Sequence, residues 1–562
     1  MNNLITSSSH PEQQTAKSLG AFYTDIQVAD FLVWWAVRSS LETVLDPSFG
    51  GGVFIRSACN RIRSLGGDPK SQVFGVELDT NVHSLISEKL SDEFGVQAKN
   101  LLQQDFFELE PLPVSQVNAV VGNPPFIRFH RFSAEARQRA LAAAADQGVK
   151  LTQLSSSWAP FVVHSVAMLK KGGRLAMVLP MEIAHASYAL PVIQYLQKSF
   201  KKITFLTFKK KLFPNLSEDT LLLLAEGKGA AFATFLHRDL AHSGILSEIQ
   251  THKDFLIGGT QRLQALGLAA NSERLIEYFI PKKTRELYVE LKQSEAICRL
   301  GDLLDVGIGY VTGANDFFHL SPDEVRRRRI PERFLRAAVR RGRALAGLRF
   351  TAADWRAAVP QGEAGYLLSI PRAEELPESV QTYLEYGKAN QIPKGYKCRV
   401  RTPWYSVPHV YQPDAFLTYM SGGVPRLVTN DAQVVAPNSL HVLRIHPKTK
   451  ITAKSIAALW QTSLTRLSTE IQGHALGGGM LKIEPGEAEN CLVASSNAST
   501  TRLDSLADEL DLLIRTGRES EAQDRADTLI LREYVGLSPI ECRSLKEAAS
   551  ILMNRRCGRS AN

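Results

Sequence analysis

The sequence predicts an α/β chain: an open, doubly wound sheet of mainly parallel strands, then a less regular C-terminal region and a helical tail. Three observations lead there. From Thr43 to about Ala225, β-branched and Leu-rich runs alternate with helical stretches, the pattern of successive βαβ units. Beyond about Lys282 this alternation weakens, and Pro, Gly, Arg and aromatic residues follow in irregular order, as in Arg401-Thr402-Pro403-Trp404-Tyr405. From Thr501 to Ala549, Leu503, Leu506, Leu510 and Leu513 recur at helical spacing among charges, which marks an amphipathic tail. At 562 residues the chain exceeds one ordinary core, since domains usually take about 100 to 200 residues. The expected division is residues 1–280, 281–500 and 501–562, with the first boundary between about Gly258 and Gly301.

The strands are read in order as Thr43-Val44-Leu45, Val73-Phe74-Gly75-Val76, Ala119-Val120-Val121 and Arg174 to Leu179. The turn Lys170-Lys171-Gly172-Gly173 announces the last of these, because paired glycines punctuate regular structure. Leu221 to Ala225 is a short buried strand and far below the ~20 apolar residues that span a bilayer. The polar segment Met1 to Lys17 has no apolar core of a signal peptide, so no membrane partner is expected. The six cysteines are scattered without a CxxC pair or a His/Cys cluster at zinc spacing. They read as reduced thiols of a cytoplasmic protein, and no metal site is expected.

Hydrophobic residues make up 44% and charged residues 22%, with a formal net charge of +9. That balance excludes a disordered or collagen-like chain and favours an anionic partner. The charge is concentrated: Arg326 to Arg349 holds ten arginines and one acid in 24 residues. Such a run reads either as a phosphate-contacting surface, with Arg326, Arg329 and Arg340 as candidates, or as a solvated face.

Val44-Leu45-Asp46-Pro47-Ser48-Phe49-Gly50-Gly51-Gly52-Val53 reads as a strand, a glycine-rich turn and a helix start. Glycines admit close approach to the backbone, and unpaired N–H groups at the helix start favour an anionic ligand group. Alone, the turn is equally a structural crossover. Glu77 follows 31 residues after Asp46, at the end of the second strand, and Asp105-Phe106 follows 28 residues after Glu77. Carboxylates at successive strand ends line the ligand crevice of such a sheet. GxGxxG, expected of a dinucleotide fold, is absent.

The next strand ends in Val121-Gly122-Asn123-Pro124-Pro125-Phe126. Two prolines turn the chain stiffly out of the strand. The Asn123 side-chain carbonyl and the Pro124 backbone carbonyl become acceptors matched to the two hydrogens of an exocyclic amine, and Phe126 can stack on its ring. His130, alone beside a strand end, reads as structural.

This ordered set resembles the amino-methyltransferases of DNA, in the gamma motif order of the TaqI-like N6-adenine methyltransferases. Gly20-Ala21-Phe22-Tyr23-Thr24 is similar to the family segment that closes over the methionine end of the cofactor, although Asp25 stands where proline is frequent. The resemblance implies a Rossmann-like class I methyltransferase sheet that binds S-adenosylmethionine through Tyr23, Thr24, Asp46, Pro47, Phe49, Gly50, Glu77, Asp105 and Phe106. It implies a catalytic turn of Asn123, Pro124, Pro125 and Phe126, the last in place of Tyr or Trp. Leu212-Phe213-Pro214 matches the region whose aromatic sandwiches the flipped base, which makes Phe213 the candidate, and Lys209, Lys210 and Lys211 precede it as phosphate contacts. Val306 to Phe318 and Gly477 to Pro485, with Lys482, look like parts of a C-terminal DNA target-recognition domain.

The resemblance therefore implies site-specific methylation of adenine N6 in double-stranded DNA, with base flipping and no metal. No nuclease motif is evident, which leaves restriction to a separately encoded endonuclease. RNA or protein-glutamine methylation uses the same turn in generally smaller chains, and cytosine-N4 methylation usually reads Ser-Pro-Pro. A non-catalytic DNA-binding subunit would have no reason to keep Asp46, Glu77, Asp105 and Asn123 together.

Overall fold

The computed structural model describes residues 24–109, 116–127, 133–186, 188–213, 219–230, 233–249, 261–263, 274–371, 375–495 and 500–557. The chain divides into two compact units, one running to Phe279 and including Leu476–Gly478, the other comprising Ile280–Ala475 and Gly479–Cys557.

The first unit is built on one sheet whose described strands are β1 (Val44–Asp46), β2 (Val73–Glu77), β3 (Leu101–Gln103), β4 (Val117–Gly122), β5 (Leu169–Pro180), β6 (Lys202–Phe208), β7 (Thr220–Glu226), β8 (Thr234–Leu240) and β9 (Gln261–Leu263). Their order is β3-β2-β1-β4-β5-β7-β6-β8-β9. Strands β1 to β5 are mutually parallel, β7 runs antiparallel between β5 and β6, β8 is parallel to β6, and β9 is antiparallel to β8. The mainly parallel sheet is thus a mixed one with an antiparallel insertion. Strand β7 is the run Leu221 to Ala225 with one residue at either end, and those five are fully buried. A strand covered on both faces has no reason to alternate polar and apolar residues.

Helices α1 (Ile26–Ala36), α2 (Val53–Ser64) and α3 (Thr80–Phe94) bury Phe31, Trp35, Phe54, Ile62, Leu90 and Phe94 against one face of the sheet. Helices α4 (Ala134–Asp146), α5 (Trp158–Ala167) and α6 (Ala189–Ser199) pack successively on one another. Asp25 begins α1 as its N-cap, its carboxylate accepting from the Gln27 N–H at 2.8 Å. A short acid at that position satisfies a donor the helix leaves open. The expected turn at Lys170 to Gly173 lies inside β5: the pairing with β4 jumps from Val117↔Leu169 to Ala119↔Arg174, and Gly172 takes a φ of 81°. It is a bulge, which glycine permits.

The second unit is a set of small antiparallel sheets. One orders Leu304–Ile308, Leu440–Ile445, Ala415–Thr418 and Leu427–Thr429; another orders His319–Leu320, Ala364–Leu368 and Leu335–Val339. A third joins Met420–Ser421, Leu481–Lys482 and His474–Ala475. The helices Thr500–Arg515, Glu519–Ala526 and Pro539–Cys557 form the tail, in which Leu503, Leu506 and Leu510 are buried. Its last helix is anchored by a buried ion pair, Arg556 Nη2 to Glu470 Oε1 at 2.7 Å. Among the described residues no helix is long and apolar enough to cross a membrane.

Candidate active site

The order β3-β2-β1-β4 contains the point where the chain reverses its direction across the sheet, between β1 and β4. Loops leaving adjacent parallel strands diverge there and open a crevice at the carboxyl ends. Asp46 ends β1, Glu77 ends β2, Asp105 follows β3 by two residues, and Asn123 follows β4 directly. The fold thus brings to one edge four residues spread over 78 positions of sequence. The strand ends are close: a Cβ on Gly122 would stand 3.1 Å from Asp46 Oδ1 and 3.2 Å from Pro47 Cδ. Pro47 is buried beside it.

The glycine-rich turn is shaped by its carboxylates. Glu77 Oε2 accepts from the Gly50 N–H at 2.9 Å, and Oε1 from the Asp79 N–H at 2.9 Å. Gly50 and Gly52 have φ of 46° and 77°. At Gly52 no side chain fits, since a Cβ would meet Ile86 Cγ2 at 2.8 Å. Phe49 turns inward, 3% exposed, beneath the loop. Asp46 is 1% exposed; Oδ1 accepts from the Ser48 N–H at 3.1 Å, while Oδ2 is buried with no partner among the described residues. Burial, opposed by the Ser48 bond and reinforced by the Glu77 charge, pushes its pKa up to about 8. A carboxyl in this state lacks a counter-charge.

Asp105 is held differently. Oδ1 accepts from the Phe107 N–H at 3.0 Å, and Oδ2 faces Arg139 of α4, with Nε at 3.1 Å and Nη2 at 3.0 Å. Phe106 is 3% exposed, stacked on Phe161 at 5.2 Å and edge-on to His164 at 4.7 Å. Its ring is core packing, whereas its neighbour Phe107 is half-buried.

Beyond β4, Asn123 Nδ2 donates to Thr24 Oγ1 at 3.1 Å, and Asn123 Oδ1 is buried with no partner among the described residues. With the amide nitrogen on Thr24, the amide carbonyl is the end left as an acceptor. Phe126 and Phe213 are both half-buried and pack against the same apolar cluster, which includes Leu206, Phe208 and Leu212. Lys209 and Lys210 are exposed directly after β6, and Lys211 is half-buried. Tyr23, His130 and Pro214 lie outside the described residues.

In the second unit the arginine run is divided among several partners. Arg326 pairs with Asp323. Arg341 and Arg343 face Glu363 at 3.8 and 3.2 Å, and Arg349 reaches Asp431 at 2.6 Å and Asp508 at 3.1 Å. Arg328 lies 4.4 Å over the Tyr386 ring. Arg329, at the left-handed C-cap of Pro322–Arg328 and exposed, and Arg340, half-buried, have no ion-pair partner among the described residues. Lys482 is engaged with Glu484 at 2.5 Å and lies 5.3 Å over Tyr419.

Two site residues escape a reading of the sequence. Ser157 stands before α5 and bonds the residue that follows the Asn-Pro-Pro-Phe turn, signalled only by the run Ser155-Ser156-Ser157 ahead of an apolar helix. Arg139 gives no sequence signal at all, being one of two arginines on an alanine-rich helix.

Comparison with known proteins agrees with this architecture in both units. The N-6 DNA Methylase family model matches residues 9–229, and the model of the C-terminal domain of the Type II methyltransferase M.Eco57I matches residues 272–531. The chain is similar to the Type II methyltransferase M.AccI of Acinetobacter calcoaceticus, 21% identical over 489 residues that cover 84% of each chain. It is also similar to the Type II methyltransferase M.XamI of Xanthomonas campestris pv. amaranthicola, 23% identical over 86% of this chain and 87% of that one. Among solved structures the fold is shared with the Type IIL restriction-modification enzyme MmeI in complex with DNA, at a TM-score of 0.55 and 11% identity, covering 97% of this chain and 76% of that one. The ATP-dependent Type ISP enzyme LlaBIII bound to DNA gives a TM-score of 0.54 at 12% identity, over 89% of this chain and 40% of the far longer LlaBIII chain. The chain thus carries an N6-adenine DNA methylase domain continued by a Type II methyltransferase C-terminal domain.

Proposed function

We propose that this methyltransferase takes its methyl group from S-adenosylmethionine and delivers it to the N6 amine of an adenine flipped out of duplex DNA, within one target sequence. The carrying observation is Asn123 Oδ1, a buried acceptor without a partner among the described residues, on an amide that bonds Thr24 at the mouth of an acid-lined sheet. A buried carbonyl left unpaired is unfavourable. An amine hydrogen entering the crevice relieves it.

The crevice fits a compact cationic cofactor. Asp46 Oδ2, at the end of the neighbouring strand, is likewise buried without a partner among the described residues and gains the counter-charge it lacks. Glu77 keeps lone pairs for ribose hydroxyls while holding Gly50, and Asp105 would take the adenine amine beside its Arg139 contact. When bound, S-adenosylmethionine supplies an activated methyl on a sulfonium centre. Asn123 Oδ1 and the Pro124 carbonyl accept the two hydrogens of the target amine, which aims the nitrogen lone pair into the crevice. Phe126 and Phe213 offer faces for the flipped ring, each such contact contributing ~1 to 3 kcal/mol. Lys209 and Lys210 flank that position as phosphate contacts, and Arg326, Arg329, Arg340 and Lys482 of the second unit lie in the region assigned to DNA. The order of cofactor turn, catalytic turn and C-terminal domain is that of the gamma group. In this reading the chain is the modification enzyme of a restriction-modification system whose endonuclease is separately encoded.

The test uses duplex DNA and S-adenosylmethionine labelled in the methyl group, followed by digestion to nucleosides. Wild type labels N6-methyladenine, and Asn123→Ala is slower by ~100-fold or more, a loss of ~3 kcal/mol, with cofactor and DNA binding retained. Label in cytosine, RNA or protein, or full activity of Asn123→Ala, overturns the reading.

A further inference from the structure

The turn Asn123-Pro124-Pro125-Phe126 has to hold its carbonyls still, yet two of its residues have no backbone N–H with which to bond. It is held from outside. Three hydrogen bonds run between its C-terminal side and Ser157. Ser157 Oγ donates to the Pro125 carbonyl and accepts from the Ile127 N–H at 2.8 Å, and the Ser157 N–H donates to the Ile127 carbonyl at 3.0 Å. Ser157 is 1% exposed, so water does not compete for these partners.

Position 157 opens α5, where a serine ordinarily turns its hydroxyl back on its own helix. This one makes no such cap; its backbone is already helical, with φ of −57° and ψ of −31°. Its hydroxyl is committed to the turn. Because Phe126 lies between the two bonded residues, Pro125 and Ile127, the orientation of its ring follows from where Ser157 holds them. Thr24 fixes the Asn123 amide from the other side.

We infer that Ser157 is a positioning residue for methyl transfer: its hydroxyl and amide lock the proline turn so that Asn123, Pro124 and Phe126 meet the target base in one geometry. The inference rests on the methyl-transfer reading. Losing the lock leaves the cofactor end of the crevice, formed by β1, β2 and β3, unaltered.

The experiment compares full-length wild type with Ser157→Ala, after the methylated adenine has been located by modified-base sequencing. In Ser157→Ala, kcat falls by ~10- to 50-fold while the KM for S-adenosylmethionine stays within ~2-fold. On a duplex with 2-aminopurine at the target position, the fluorescence gain that reports an unstacked, held base falls in parallel. A variant whose melting temperature drops but whose kcat and fluorescence gain stay within ~2-fold of wild type overturns the inference, since the serine then acts on stability alone. Should Ser157→Ala not fold, the wild-type Ile127 amide decides: the inference requires exchange slowed by ~100-fold or more relative to a free peptide, and unprotected exchange overturns it. A wild type that places no label on adenine N6 removes the methyl-transfer reading itself, whereas an active wild type matched by Ser157→Ala removes only this inference.

Discussion

Asp46 shows how a residue with an ordinary sequence signature acquires its chemistry from its surroundings. At 1% exposure with one oxygen unpartnered, its pKa of about 8 stands above the 3.8 of a free side chain. The folded protein therefore keeps a proton that the unfolded chain has released. Between about pH 4 and about pH 8 stability falls as pH rises, through the raised pKa of this group. A cationic cofactor reverses the preference, because a nearby positive charge favours the carboxylate. Binding of S-adenosylmethionine at about pH 7 is expected to release about one proton per site. Calorimetry in buffers of differing ionisation enthalpy reads this directly, Asp46→Asn should abolish it, and proton-neutral binding by wild type would contradict the assignment. The residue types at this site were legible in sequence; their partners were not. Phe49 and Phe106, expected against the cofactor, each retain only 3% exposure.

At the scale of elements, the strand-turn-helix unit from Val44 to Ser64 was readable because its constraints are local. Only glycine takes the φ of 77° at position 52 without strain, and a Cβ there would stand 2.8 Å from Ile86 Cγ2 on α3. Gly52→Ala should therefore destabilise the protein by ~1 to 3 kcal/mol. It should also weaken S-adenosylmethionine binding, since the Gly50 N–H to Glu77 contact lies two residues away. Denaturant titration and calorimetry measure the two effects, and an unchanged unfolding midpoint would show that the turn relaxes freely. The antiparallel place of β7 between β5 and β6 was not readable. A continuous apolar run identifies a buried strand and says nothing of its direction.

On the scale of the whole chain, each of the two units is matched by its own family model. Among the described residues, the apolar cluster beneath the acid-lined crevice draws only on residues between Val28 and Ile249, and the methylase family match ends at residue 229. A fragment ending at Phe279 should bind S-adenosylmethionine within ~10-fold of the full chain, a difference of ~1.4 kcal/mol, yet lose preference for the target duplex. Gel shifts in which this folded fragment still selects the target sequence would place readout in the first unit instead. The arginine run illustrates why charge counts mislead at this scale. Its positive charge is partly cancelled by Glu363, Asp431 and Asp508. Arg329 and Arg340 emerge as the run's stronger candidates for phosphate, and Arg326 as a weaker one.

The sequence by itself determined the features that short-range sterics and spacing impose. These are the glycine turn, the stiff proline turn, the recurrence of an acid at the ends of the first three strands, and the helical period of the tail. Tertiary structure alone decided which groups meet: Ser157 and Thr24 on the Asn-Pro-Pro-Phe turn, Arg139 on Asp105, and on Arg349 an acid 159 residues distant. The physical reason is that backbone conformation responds to a residue and its immediate neighbours, whereas a hydrogen bond or ion pair between distant segments depends on how whole strands and helices pack.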